Sequence, residues 1–306
     1  MALIEKLKNI ANAIRSKTNK SEEMTLEQMA DAIEELKVGE LNFEGVFNQE
    51  QADEYNSLYR NKIAYAKEIA DTWDEKNTTC VFKDTNIVFF PMIKTPNVKK
   101  FSFTNCKNLE YMPEDFDISS ATDTFQCWHE CKRLKSLPNI LDCRNLTSLN
   151  RLINNLPDLE KFPQIKNTNN VKTFEFCFSN INLNVDIAIN TDSAVTFYGT
   201  FYASQFKSII LTSLRNVTSF TNAYTNTNSL VTLKFTEWKQ ADINLAQSSK
   251  LSAESIHYII QNAMNVVDGA TARTLTLHST AKTNWQNSEY YEADLAVLEQ
   301  KGITIA

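Results

Sequence analysis

The stretches CKNLEYMP (residues 106–113) and CKRLKSLP (131–138) carry Cys, Leu, a large apolar residue and Pro at the same positions. A third stretch, LPDLEKFP (156–163), follows after the same interval, with Leu156 in place of the cysteine. Three copies in register indicate an internal repeat, and such a repeat determines the fold class of the region that contains it.

Each repeat unit carries apolar or small residues at fixed offsets from its first residue. Offsets 0 to 7 have helical spacing, whereas the later L-x-x-L-P portion is too short for a helix and ends at a proline. We therefore expect each unit to contain a short helical turn, a bend and a brief extended segment, and the stacked units to form a solenoid. About six units of 22–25 residues are predicted within residues 95–240. The clearest unit has apolar residues at offsets 0, 3, 6, 7, 10, 13 and 16, which are Leu146, Leu149, Leu152, Ile153, Leu156, Leu159 and Phe162.

The repeat resembles a known class. The stretches SATDTFQCWHECKRLKSL (120–137), NVKTFEFCFSNI (170–181) and NVTSFTNAYTNTNSLVTL (216–233) are similar to the leucine-rich repeats of bacterial-surface (BspA-like) proteins. Repeats of this class are also common in tail-associated proteins of bacteriophages. The resemblance implies an α/β leucine-rich-repeat solenoid, and it says little about function because such surfaces are adapted to many ligands.

Residues 1–38 are predicted to form a small helical module. The first helix has an apolar face, and the second begins at Thr25, whose hydroxyl forms a capping box with Gln28. The module resembles one found near the start of many phage tail and fibre proteins, where its expected role is to anchor the chain to other virion proteins. The alternative is a helical hairpin that packs on its own chain. The apolar residues predicted to make the contact are Leu3, Ile4, Leu7, Ile10, Ile14, Met29 and Ile33.

The segments on either side of the repeats are predicted to close the solenoid. Residues 39–94 contain a linker, a long helix over 49–76 and strand-like residues, which together would cover the first repeat. Residues 241–306 are predicted to form an α/β cap. In this cap we expect a helix within 251–267 with Ser252 as its N-cap, a strand in 271–278, a helix around 290–302 and a closing strand at 303–306.

Charge and hydropathy exclude several partners. The formal net charge is −6 and no long basic run is present, so DNA or RNA is not an expected partner. No apolar stretch reaches the length of about 18 residues that a membrane helix needs, and the first residues do not form a signal-peptide core. We therefore expect no membrane association, and synthesis in the cytoplasm of a bacterial host.

The candidates for chemistry are few. Cys127, His129 and Cys131 could suggest a metal site, but the two cysteines fall on inward offsets 6 and 10, which favours a structural role. The three histidines lie in no nucleophile motif, so we expect neither catalytic residues nor a cofactor. The acidic run with Glu114, Asp115 and Asp117 could serve as a glycosidase pair, although acidic residues in loops between repeats are usually solvated.

The outward positions favour a binding surface. Asn, Thr and Ser are frequent there, and Tyr198, Tyr202 and Trp238 are predicted to be exposed, a combination that suits a host-surface glycan. The alternative for each asparagine is a role in turns and in ladders between repeats.

These observations predict a phage virion structural protein. We expect a tail fibre, baseplate or other tail-associated component in the exposed tail region, present as a homo-oligomer, that contacts a glycan or protein of the host surface. The alternatives are a head fibre or capsid decoration protein, a bacterial surface adhesin, and a polysaccharide-degrading tail protein.

Overall fold

The computed structural model describes residues 61–306, of which Ala66–Ala306 form one compact unit. The predicted module at 1–38, the linker that begins at residue 39 and the first part of the predicted helix lie outside this range. The remainder of that helix is α1 (Asn61–Thr72), which ends before the predicted residue 76. The Trp73 indole N–H donates to the Lys94 carbonyl at 2.8 Å and so ties the end of α1 to the following chain.

The described chain is a parallel β-solenoid of about seven turns. Every strand pair in residues 61–306 is parallel, and Ile140 pairs with Gln164, Asp186 with Ser208, and Ser208 with Thr232. In each pair, as in the Ser148–Thr173 bridge, the second residue lies 22–25 positions after the first. This spacing confirms the predicted repeat length. The strands are β1 (Thr79–Val81), β2 (Lys100–Ser102), β3 (Ile140–Asp142), β4 (Gln164–Lys166), β5 (Asp186–Ile189), β6 (Ser208–Ser213) and β7 (Thr232–Thr236).

The predicted inward positions form the core. In the clearest unit the six apolar residues at offsets 0, 3, 6, 7, 10 and 13 are buried, and Phe162 at offset 16 is partly buried. Offset 7 holds a column of large side chains, Trp128, Ile153, Phe178, Phe201 and Tyr224, and rings in adjacent coils stack on either side of Ile153. Phe103 lies parallel to Trp128 at 6.0 Å, and Phe201 lies between Phe178 at 5.9 Å and Tyr224 at 5.7 Å.

The predicted helical turn in each unit is wrong. Residues 98–236 contain strands and turns but no α-helix, so the repeats are β-structure and the described helices lie on either side of them. The five units that begin between residues 121 and 217 instead reverse direction through two residues with positive φ, at offsets 5 and 9. Offset 5 holds Gln126, Arg151, Phe176, Gly199 and Asn222, and offset 9 holds Glu130, Asn155, Asn180, Ala203 and Asn226.

The C-terminal cap is close to the predicted one. Its elements are β8 (Ile243–Leu245), α2 (Ala253–Asn262), β9 (Arg273–Leu277), α3 (Ser279–Gln286), α4 (Tyr291–Lys301) and β10 (Ile303–Ile305). Ser252 accepts a hydrogen bond from the Ser255 N–H as the N-cap of α2, and Gly302 ends α4 in the left-handed conformation. Helix α2 stops at Asn262, before the predicted end at residue 267, and α3 is an element that the sequence pattern did not predict. The strand order β10–β9–β8 is parallel. None of the helices described in residues 61–306 has the length and apolarity that a membrane crossing requires.

Candidate binding surface on the solenoid turns

The residues at offsets 4, 5, 8 and 9 form one continuous strip, which we name the turn surface; Asn154 and Ser179, both at offset 8, are buried within it. It covers the units that begin at Ala121, Leu146, Val171 and Ala194. Backbone hydrogen bonds hold these coils in register along the strip. The Phe176 N–H donates to the Tyr198 carbonyl at 2.9 Å, and the Arg151 N–H donates to the Glu175 carbonyl at 3.0 Å. Side chains of equal offset therefore lie beside one another along the solenoid axis.

An aromatic cluster occupies the middle of the turn surface. The guanidinium of Arg151 lies 4.9 Å from the centroid of the Phe176 ring, and the Tyr198 ring meets the Phe176 ring edge-on at 4.9 Å. Gly199 makes this arrangement possible, because a Cβ atom there would lie 2.4 Å from Cε1 of Phe176. Phe125, at offset 4 like Tyr198, is 52% exposed at the N-terminal end of the strip.

Polar side chains beside the cluster are held by contacts between coils. The Asn150 amide donates to Glu175 Oε2 at 2.9 Å, and the Asn155 amide donates to Glu130 Oε1 at 2.5 Å. The buried Asn154 donates to the Ser179 hydroxyl and pairs with a His129 ring nitrogen. The prediction that asparagines form ladders between repeats is thus confirmed for Asn150, Asn154 and Asn155.

The structure separates the three predicted surface aromatics. Tyr198 and Tyr202 both lie half-buried on the turn surface, at offsets 4 and 8 of one coil. The prediction that Trp238 is exposed is wrong, since the C-terminal cap covers it. Its indole N–H donates to the Ala241 carbonyl at 2.9 Å, and the guanidinium of Arg273 lies 4.7 Å from its ring. The predicted contacts at Leu3, Ile4, Leu7, Ile10, Ile14, Met29 and Ile33 lie outside the described residues.

Arg151 and Phe176, which form the centre of the cluster, were not predicted from the sequence. One signal was present, because offset 5 holds Gly199 and Asn222 in later units, both typical of left-handed turns. A phenylalanine at such a position is unusual.

The six cysteines are buried, and the predicted ladder of inward residues is confirmed. Cys106, Cys131, Leu156 and Ile181 are all fully buried at equivalent positions of successive coils, and Leu156 pairs directly with Ile181. The Cys131 thiol donates to the Phe103 carbonyl of the preceding coil at 2.9 Å.

Burial also determines the chemical state of these thiols. It raises the pKa of Cys80 to about 12, and it raises the pKa of Cys127 well above the ordinary value of a thiol. Since the thiolate is the form that binds metals and attacks electrophiles, these groups are inert near neutral pH. Within residues 61–306, no three His, Cys, Asp or Glu side chains are grouped so that they could hold a metal ion.

We expect Cys131→Val to be tolerated. Valine is apolar and exceeds the thiol by only about one methyl group, and the Phe103 carbonyl keeps the hydrogen bond from the Cys106 N–H at 3.1 Å. The free energy of unfolding should fall by about 1 kcal/mol or less, as measured by urea denaturation. Cys106→Val is the companion variant. Loss of bound metal in either variant, detected by elemental analysis of the purified protein, would contradict the structural role.

The acidic residues proposed as a glycosidase pair stabilise turns. Glu114 accepts a hydrogen bond from the Asn139 amide at 2.9 Å, and Asp117 accepts from the Ser119 N–H at 2.8 Å. Both carboxylates are exposed, as is Asp115. Their contacts are those of loop residues between coils.

A second polar cluster that the sequence did not reveal lies in the C-terminal cap. The carboxylate of Asp294 is fully buried and accepts hydrogen bonds from the Trp285 indole and the Gln261 amide, each at 2.8 Å. It also pairs with His257 Nδ1 at 2.7 Å, and the His257 ring stacks on Tyr290 at 4.5 Å. The cluster joins α2, α3 and α4, so its contacts support the cap.

Comparisons of the chain with protein-family models, with curated proteins and with solved structures found no match. The function proposed below is therefore inferred from the sequence and from the geometry of the turn surface.

Proposed function

We propose that the protein is a structural component of a bacteriophage virion, in the tail fibre, the baseplate or another tail-associated position. Its solenoid would present the turn surface for assembly and for attachment to the host surface. The observation that carries the proposal is the continuous strip of aromatic and hydrogen-bonding side chains on coils held in register by the Ser148–Thr173–Thr196 bridges. A rigid solenoid presents such a strip at a fixed spacing.

We assign the repeat to the leucine-rich class on its inward residues. Leu149, Leu152 and Leu159 occupy the inward positions of one coil, and Leu, Phe, Ile or Cys take most of the same positions in neighbouring coils. The assignment to a virion is supported by the resemblance of 120–137, 170–181 and 216–233 to repeats of phage tail proteins, together with that of residues 1–38 to a phage module.

We propose that several copies of the chain assemble in the virion through the module at 1–38. Its apolar face is the part of the sequence best suited to contact other virion proteins, because an amphipathic helix buries its apolar side against a partner or its own chain. Electron microscopy of labelled particles would distinguish a tail position from a head fibre or capsid decoration.

Deletion of residues 1–38 is expected to leave the solenoid folded and to abolish incorporation into particles. Circular dichroism would measure folding, and immunoblotting of purified particles would measure incorporation. The double substitution Leu7→Asp with Ile10→Asp should reproduce the loss, because it places charges on the apolar face that the sequence predicts for the first helix.

The matched control changes the charged side of the same helix, as Lys6→Ala with Lys8→Ala, and should incorporate normally. Normal incorporation of the deleted chain would contradict the anchoring role of the module.

A further inference from the structure

We propose that the turn surface around Phe176 binds a linear saccharide chain that lies along the solenoid axis. This inference rests on the proposed attachment function, and it assigns both the site and the class of ligand. The residues that would contact the sugar are Asn150, Arg151, Glu175, Phe176 and Tyr198.

The backbone of Phe176 gives the first argument. Its φ is +48°, in the left-handed region, which bulky side chains seldom adopt because of steric strain. The same offset holds Gln126, Arg151, Gly199 and Asn222 in the other units, so the turn itself does not need an aromatic residue. Glycine or asparagine could form this turn with less strain. The presence of phenylalanine therefore points to a function for its side chain.

The second argument is the chemistry of the cluster. The aromatic rings of Phe176 and Tyr198 offer apolar faces and edges against which the C–H groups of a pyranose can pack. Arg151 Nη1 reaches Asn150 Oδ1 at 3.4 Å, and no other side chain in residues 61–306 accepts a hydrogen bond from this guanidinium. Its remaining N–H groups are thus available to sugar hydroxyl or carboxylate oxygens.

The neighbouring pair supplies both kinds of hydrogen-bonding group. The Asn150 amide donates to one oxygen of Glu175, which fixes the carboxylate and leaves its second oxygen to accept from a hydroxyl. Both side chains are half-buried, so they are already ordered before a ligand arrives.

The third argument is the shape of the strip. Neighbouring coils of a parallel sheet lie about 4.8 Å apart, and the turn surface repeats its positions over four units. A chain polymer can contact all four coils at once, whereas a single sugar unit would contact only one or two of them. The exposed ring of Phe125 extends the aromatic positions toward the N-terminal end.

The decisive variant is Phe176→Asn in the full chain. Asparagine is already left-handed in this solenoid at Asn155 and Asn180, so the backbone should be kept. The thermal midpoint should remain within about 3 °C of the unsubstituted protein. Binding to an array of hexasaccharides, both neutral and uronate-containing, should weaken about tenfold or more.

Arg151→Ala is the second variant, and its effect distinguishes the two ligand types. If the sugar carries carboxylates, this change should weaken binding as strongly as Phe176→Asn; if it is neutral, the effect should be smaller. The matched control is Lys135→Ala, because Lys135 also lies over an aromatic ring, 5.7 Å from the centroid of Tyr111, but away from the turn surface. That variant should bind as the unsubstituted protein does.

The outcomes separate this inference from the proposed function. Saccharide binding that survives both Phe176→Asn and Arg151→Ala would overturn the site while leaving attachment in place. Failure of the unsubstituted protein to retain any hexasaccharide would overturn the ligand class, and the virion role would still be decided by incorporation of the chain into particles.

Discussion

Replacement of Asp294 by alanine is expected to lower the free energy of unfolding of the C-terminal cap by about 3–5 kcal/mol. The buried carboxylate accepts from Trp285 and Gln261 and pairs with His257, so the substitution leaves three polar groups without their partner. Urea denaturation would measure the loss of stability, and hydrogen exchange of the β9 and β10 amides would show whether the loss lies in the cap.

Two further substitutions on α4 test this account. Asp294→Asn keeps the shape of the side chain but has one acceptor oxygen, so its loss should be smaller than that of Asp294→Ala. Glu299→Ala removes an exposed carboxylate from the same helix and should change stability by less than about 0.5 kcal/mol. A loss for Asp294→Ala as small as that of Glu299→Ala would show that the cap does not depend on this cluster.

Replacement of Phe201 by alanine is expected to cost about 3–5 kcal/mol of stability. The ring is fully buried and contacts the rings of Phe178, Phe206 and Tyr224 at centroid distances of 5.7–6.2 Å. Because Phe178 and Tyr224 belong to the preceding and following coils, the cavity weakens two interfaces between coils at once. Urea denaturation monitored by circular dichroism would measure the effect.

Tyr202, the next residue in the chain, provides the control. It is half-buried on the turn surface of the same coil, so Tyr202→Ala should cost far less than Phe201→Ala. Similar losses for the two variants would mean that the ring column at offset 7 does not dominate the packing.

The core of the solenoid could be predicted from the sequence because the apolar residues recur at fixed offsets. Leu149, Leu152 and Ile153 are buried as that pattern requires. The local conformation could not be predicted in the same way. A spacing of three and four residues is usually helical, but here the left-handed residues Arg151 and Asn155 place the same offsets on the inside of a turn.

The candidate site was predicted only in part, for a different reason. Tyr198 and Tyr202 were identified as surface aromatics, but the contact of Arg151 with Phe176 depends on the register of adjacent coils. Trp238 was predicted to be exposed because Arg273, which packs over its ring, is far from it in the sequence. Asp294 likewise resembles an exposed helical charge until its partner His257, on the distant helix α2, is known.

The two columns of left-handed residues have a consequence for how this protein can change over generations. Since the five coils between residues 121 and 236 turn at the same two backbone positions, in-frame duplication or loss of one of these units joins equivalent points of the path. The length of the solenoid can therefore vary by whole coils while its two ends stay constant. A lineage can in this way lengthen or shorten the turn surface while the fold stays the same.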